Sequence, residues 1–177
     1  MSGPVCVLIG AMGAGKTTVG ELVAARLGVD FLDSDQLVER NAGKAVSDIF
    51  VEDGESAFRE LERDAVAWAL THHDGVLSLG GGAVLDPSTQ ALLAAHQVVF
   101  LRVGLAEAVK RVGLGVGRPL LLGNARSRIK QILDERAPVY QGLARVAVDT
   151  DERSAEEVAD DVLAALNETA DAADGET

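Results

Sequence analysis

Residues 10–17 read Gly-Ala-Met-Gly-Ala-Gly-Lys-Thr and match the phosphate-binding pattern G-x-x-x-x-G-K-[ST] in full. Glycines at these positions let backbone N–H groups turn inward around phosphate oxygens. A helix opening at Lys16 adds the partial positive charge of its N-terminus. Lys16 then stands to neutralise the β- and γ-phosphates of a nucleoside triphosphate, and the Thr17 hydroxyl to ligate Mg²⁺. The apolar run at 5–9 supplies the strand that must precede such a loop. The motif alone says nothing of a second substrate.

Two carboxylates offer the next chemistry. Asp33-Ser34-Asp35 follows a second apolar run. Residues i and i+2 of an extended chain share a side, so both carboxylates are expected to face the phosphate loop from a strand's C-terminal end. One would hold a water of the Mg²⁺ shell, and the other would take the proton of an attacking hydroxyl. The plainer alternative is that Asp33 ends a strand while Ser34 or Asp35 caps a helix. Residues 76–79 run into Gly80-Gly81-Gly82. Three glycines allow very close backbone approach to a ligand, or else form a plain turn. No acid ends this run, which shifts metal ligation toward Thr17 and Asp33, with Ser78 as a supporting hydroxyl.

The arginines are ambiguous one at a time. Arg59 lies beside an apolar helical stripe of Ala57, Phe58, Leu61, Ala65 and Trp68, and Glu62, three residues on, can orient it. Arg111 and Arg118 bracket a glycine-rich stretch, Arg136 closes a helix, and Arg153 precedes a capping pattern. Each is by default a surface residue, as are Arg126, Arg128 and Lys130. His72, His73 and His96 fall at helix ends without metal-ligand spacing.

Short β-branched runs at 5–9, 30–33, 76–79, 98–103 and 146–149 alternate with helical periods at 16–27, 35–42, 46–52, 55–73, 88–95, 105–112, 124–136 and 154–166. That alternation predicts βαβ units around a parallel sheet. Gly28 marks a helix C-terminus, Asp86-Pro87 a helix start, and Ser154-Ala155-Glu156-Glu157 a capping box. The stretch 112–123 has neither period and reads as a functional loop. Residues 168–177 read as a disordered acidic tail.

With 177 residues, 47% of them hydrophobic, the chain can build one real core. Its net charge is −12, with ten acids against Arg153 in 151–177. An acidic chain with 3% aromatics is a poor match to a nucleic-acid surface. The basic segment 102–145 suits a small anionic ligand better. The lone Cys6 reads as a core thiol, and no run suggests a signal peptide or a membrane span. Together these features predict a soluble protein of a reducing, cytoplasmic setting.

Taken in order, the phosphate loop, Asp33-Ser34-Asp35, Phe58-Arg59-x-x-Glu62, Gly80-Gly81-Gly82, Arg118-Pro119-Leu120-Leu121 and Arg136-x-x-x-Tyr140 resemble the motif series of shikimate kinases of actinobacterial type. The resemblance covers about residues 4–166. It implies an α/β P-loop kinase fold like that of nucleoside monophosphate kinases, with a five-stranded parallel sheet of order 2-3-1-4-5. One domain would span 1–167, with a substrate region at 33–62 and a mobile lid at 112–123. The implied reaction is ATP-dependent phosphorylation of the 3-hydroxyl of shikimate, by a monomer that needs Mg²⁺ and has no nucleic-acid or membrane partner.

The resemblance also assigns roles. Asp35 would contact the attacking hydroxyl, and Thr17 and Asp33 (through water) would hold Mg²⁺. Arg59 and Arg136 would grip the substrate carboxylate, with Gly80, Gly81 and Gly82 lining the ring. Gly13, Ala14, Gly15, Lys16, Thr17 and Thr18 would bind the phosphates of ATP. Arg118 would swing onto the transferring group, and Arg111 and Arg153 would flank the adenine. A glycine-rich lid and an acidic loop at 149–153 depart from the family pattern. The rival readings are another small-molecule kinase, such as a gluconate kinase, and a non-catalytic nucleotide-binding module.

Overall fold

The computed structural model describes residues 3–114 and 124–174. Five strands, β1 (Cys6–Ile9), β2 (Phe31–Asp33), β3 (Val76–Ser78), β4 (Val98–Arg102) and β5 (Val146–Asp149), form one sheet. The order is β2-β3-β1-β4-β5, as expected, and every neighbouring pair is parallel. The three central strands are apolar and buried almost throughout, as strands covered on both faces must be. The edge strands β2 and β5 are only partly buried.

Eight helices flank the sheet among the described residues: α1 (Lys16–Leu27), α2 (Ser34–Ala42), α3 (Val46–Glu52), α4 (Glu55–His72), α5 (Pro87–Leu93), α6 (Leu105–Leu114), α7 (Asn124–Leu143) and α8 (Ala155–Asp174). α1 packs on α8, α4 packs on α2, α3 and α5, and α7 lies over β4 and a one-turn 3-10 helix at Ala83–Leu85. None of the described helices is long and apolar enough to cross a membrane.

Local punctuation sets the boundaries. Gly28 ends α1 at φ 70°, and its N–H returns to Ala24 and Ala25 carbonyls. Asp86 accepts from the N–H groups of Ser88 and Thr89 ahead of Pro87 at the start of α5. Ser154 and Glu157 bond reciprocally, at 2.8 and 3.2 Å, before α8.

Three expectations need correction. α7 does not stop at Arg136 but runs through Pro138 to Leu143. Proline removes one intrahelical bond, yet Tyr140 is buried in the core and Leu133, Val139 and Leu143 pack against it, so tertiary packing carries the helix on. α8 continues to Asp174, so residues 168–174 are helical rather than a structureless tail. Val158, Ala159 and Val162 anchor the helix in the core, and its alanine-rich end propagates from there. On α4 the buried stripe is Phe58, Glu62, Ala65, Val66, Ala69 and Leu70, rotated from the expected one. Trp68 is half-exposed and stacks on His72, with ring centroids 5.1 Å apart.

Candidate active site

The carboxyl ends of β1, β2 and β3 open onto one cavity of about 600 Å³. The phosphate loop forms one wall. Gly13 and Gly15 sit at φ 82° and 89°, backbone that a side-chain-bearing residue rarely adopts. A Cβ on Gly10 would lie 2.5 Å from the Leu101 carbonyl oxygen of β4, so the loop can leave the sheet here only as glycine. Lys16 folds back along the loop and its Nζ donates to the Gly10 and Ala11 carbonyls at 2.7 and 3.1 Å. Burial pulls its pKa down to about 8, against the opposing pull of Asp33 and Asp35.

Both aspartates reach this cavity, though not as side chains of one extended strand. The chain turns into α2 directly after Asp33. That carboxylate caps the helix, with Oδ1 accepting from the N–H groups of Asp35 and Gln36 at 2.8 and 3.2 Å. Asp33 therefore caps a helix and still lines the site. Asp35 stands in the first helical turn, and its buried Oδ1 has no hydrogen-bond partner. Burial first, and then Asp33 and Glu62, raise its pKa to about 6, against the opposing pull of Lys16.

Opposite them is an arginine wall. Glu62, buried on α4, accepts from Arg59 Nη1 at 2.7 Å and aims that guanidinium across the cavity toward Gly82. Burial raises the Glu62 pKa even with Arg59 bound. A Cβ on Gly82 would sit 2.8 Å from both Arg59 Nη atoms, and one on Gly81 would sit 3.3 Å from Arg136 Nη1. The glycine run is thus a floor on which two guanidinium groups rest. It is held from below: Ser34 Oγ accepts from Gly80 N at 2.9 Å, and Tyr140 donates to the Gly81 carbonyl at 2.6 Å. Phe50 and Phe58, with centroids 4.7 Å apart, supply an apolar rim.

A second cleft, of about 230 Å³, lies on the far side of the phosphate loop between Ala14, Gly15 and Thr18 and the start of α8. Arg111 and Arg153 both line it. Arg111 Nη1 donates to the Gly13 carbonyl at 3.0 Å, and Arg153 donates to the carbonyls of Asp149 and Glu157. Arg118 and most of the stretch 112–123 lie outside the described residues; Val112–Leu114 complete α6.

The sequence offers Ser34 only as an alternative helix cap and Tyr140 only as the end of a motif, and it gives Phe50 and Thr150 no role. Tyr140 carried a usable signal, four residues after Arg136 on one helix face. The others become legible only when distant segments meet.

The chain matches the family model described as shikimate kinase over residues 12–167. It is 61% identical to the shikimate kinase of Thermobifida fusca over 159 residues, covering 90% of this chain and 92% of that one. It is 54% identical to that of Salinispora arenicola, over 92% and 98%. The shikimate kinase from Acinetobacter baumannii in complex with shikimate superposes with a TM-score of 0.86 at 31% identity, covering 96% and 95%. A gluconokinase from Sinorhizobium meliloti, at 21% identity and a TM-score of 0.65, shares the fold alone. With its match to the family model and its 61% identity to a curated member, the chain belongs to the shikimate kinase family.

Proposed function

We propose that the enzyme transfers the γ-phosphoryl group of ATP to the 3-hydroxyl of shikimate in the larger cavity, with the adenosine end of ATP in the smaller cleft. The observation that carries this reading is the pairing of a phosphate loop with two guanidinium groups across a single cavity. One wall suits a polyphosphate, and the other suits a carboxylate remote from the reacting hydroxyl.

In this reading Asp35 receives the hydroxyl proton. Its unpartnered Oδ1 is the acceptor, and a pKa near 6 keeps it ionised at neutral pH while making it a better base than an exposed aspartate. The backbone of Gly13, Ala14 and Gly15, with Lys16 and Thr18, holds the phosphates. Lys16 is already tied to the loop and is placed to neutralise charge on the transferring group. Arg59 and Arg136 hold the substrate carboxylate over Gly80, Gly81 and Gly82. Arg118, outside the described residues, is assigned to the transferring phosphoryl group, and Arg111 and Arg153 border the adenine.

Mg²⁺ suits the residues present. No group of three or more His, Cys, Asp or Glu among the described residues forms a metal cage. A cation that keeps its waters and takes few protein ligands fits that pattern. Thr17 and Asp33 would hold it, Asp33 through water with the oxygen its cap leaves free. The buried, unpartnered Ser78 hydroxyl stands at the end of β3, paired with Asp33 in the sheet. The ion would offset phosphate charge. We assign the enzyme as a cytoplasmic monomer of one P-loop domain over 1–167, without nucleic-acid or membrane partners; its acidic charge supports the exclusion of polyanionic partners.

The test is Arg59→Lys, which keeps the charge but loses the planar fork. It should lower kcat/KM for shikimate by about tenfold or more, with KM for ATP nearly unchanged. A shikimate analogue without the carboxylate should be a poor substrate for the parent and show little further loss in Arg59→Ala. Penalties that multiply would place the carboxylate elsewhere.

A further inference from the structure

Thr150 follows β5 and is 2% exposed, yet both hydrogen-bonding capacities of its hydroxyl are used. Oγ1 donates to the Arg102 carbonyl at the end of β4 at 2.9 Å, and it accepts from Arg111 Nη1 at 3.1 Å. The Thr150 carbonyl accepts from Arg111 Nη2 at 2.8 Å. The same guanidinium reaches the Gly13 carbonyl through Nη1, and Glu107 lies 3.2 Å from its Nε. α6 itself rests on the loop, since a Cβ on Gly13 would touch Val112 and the Ala108 carbonyl.

Arg111 is thus a tie between the phosphate loop and the strand-end loop, on the helix that leads into residues 115–123. Its direction depends on the hydroxyl. With its single proton committed to the Arg102 carbonyl, Oγ1 must turn a lone pair toward Arg111. Valine has the same shape and neither capacity; serine has both.

We propose that Thr150 is the positioning residue of the nucleotide cleft: by accepting from Arg111 and donating to Arg102, it locks that guanidinium across the loop, so that nucleotide affinity depends on a hydroxyl that is not itself assigned a contact with the phosphates. This rests on the reading of Arg111 as a nucleotide-side residue. A guanidinium freed of this bond must be ordered again when nucleotide binds, and the strength of a hydrogen bond to a charged group sets that loss of affinity at up to about tenfold.

The experiment compares Thr150→Val, Thr150→Ser, Arg111→Ala and the Thr150→Val/Arg111→Ala double variant. It measures KM for ATP and shikimate, kcat, and calorimetric binding of MgADP. Thr150→Val should raise KM for ATP and weaken MgADP about tenfold, with KM for shikimate within about twofold of the parent. Thr150→Ser should stay close to the parent, and the double variant should bind MgADP no worse than Arg111→Ala. If Thr150→Val does not fold, Thr150→Ala is read by the same criteria.

A loss in Arg111→Ala with none in Thr150→Val overturns the proposal and leaves the nucleotide-side reading standing. Unchanged ATP affinity in Arg111→Ala overturns that reading, and the proposal with it. Additive losses in the double variant, or a Thr150→Ser as weak as Thr150→Val, assign Thr150 a packing role only and overturn the proposal.

Discussion

Replacing Asp35 with asparagine should make the enzyme more stable while nearly silencing it. The Asp35 carboxyl is raised from 3.8 to about 6, by burial first and then by Asp33 and Glu62. Each pKa unit is worth about 1.4 kcal/mol, so ionised Asp35 costs the folded state on the order of 2–3 kcal/mol at neutral pH. The sign follows from the direction of the shift. A carboxyl with a raised folded pKa favours folding below its unfolded value near 4 and loses that contribution as pH rises through 6. Asparagine keeps the shape and never ionises. Its stability advantage in urea unfolding should therefore widen by roughly 2 kcal/mol between pH 4.5 and 7.5. At the same time kcat should fall by roughly 10²–10⁴, the usual range for a lost proton acceptor. The parent's kcat/KM should drop below about pH 6, and the variant should lack that limb. A variant less stable than the parent at pH 7.5, or a stability gap equal at both pH values, would refute the view that burial and like charge govern this carboxylate.

Gly82→Ala should fold normally, because the atoms that a Cβ would crowd are the tip of the flexible Arg59 side chain rather than backbone. It should raise KM for shikimate several-fold while KM for ATP stays put; unchanged steady-state constants for both substrates would remove Gly82 and Arg59 from the carboxylate subsite. Lys16→Ala should abolish turnover and weaken ATP binding with circular dichroism and melting close to the parent, since Lys16 contributes charge and loop bonds rather than core packing. Near-normal turnover in that folded variant would exclude its role.

Residue order and local spacing determined much of this protein. The phosphate loop was complete as written, because its geometry depends on glycine conformations and one helix N-terminus within eight residues. The strand order followed once the motif series placed the chain in a family, and the caps at Gly28, Asp86 and Ser154 were local enough to read directly. Asp35 and Arg59 could be named as candidates, but what gives them their chemistry comes from far along the chain. Asp35 gains its raised pKa first from burial beneath the glycine run, then from Asp33 two residues away and from Glu62 on another helix. Arg59 gains its aim from a buried Glu62, and the helical period alone had turned α4 toward Trp68 instead. Pro138 and the acidic end of α8 read locally as helix ends, but the packing of Tyr140 and Val162 carries both helices on. Thr150 carries no pattern, and Ser34 reads only as a helix cap. Each matters because a hydroxyl in one segment meets a group 39 or 46 residues away, and only the tertiary fold decides that meeting.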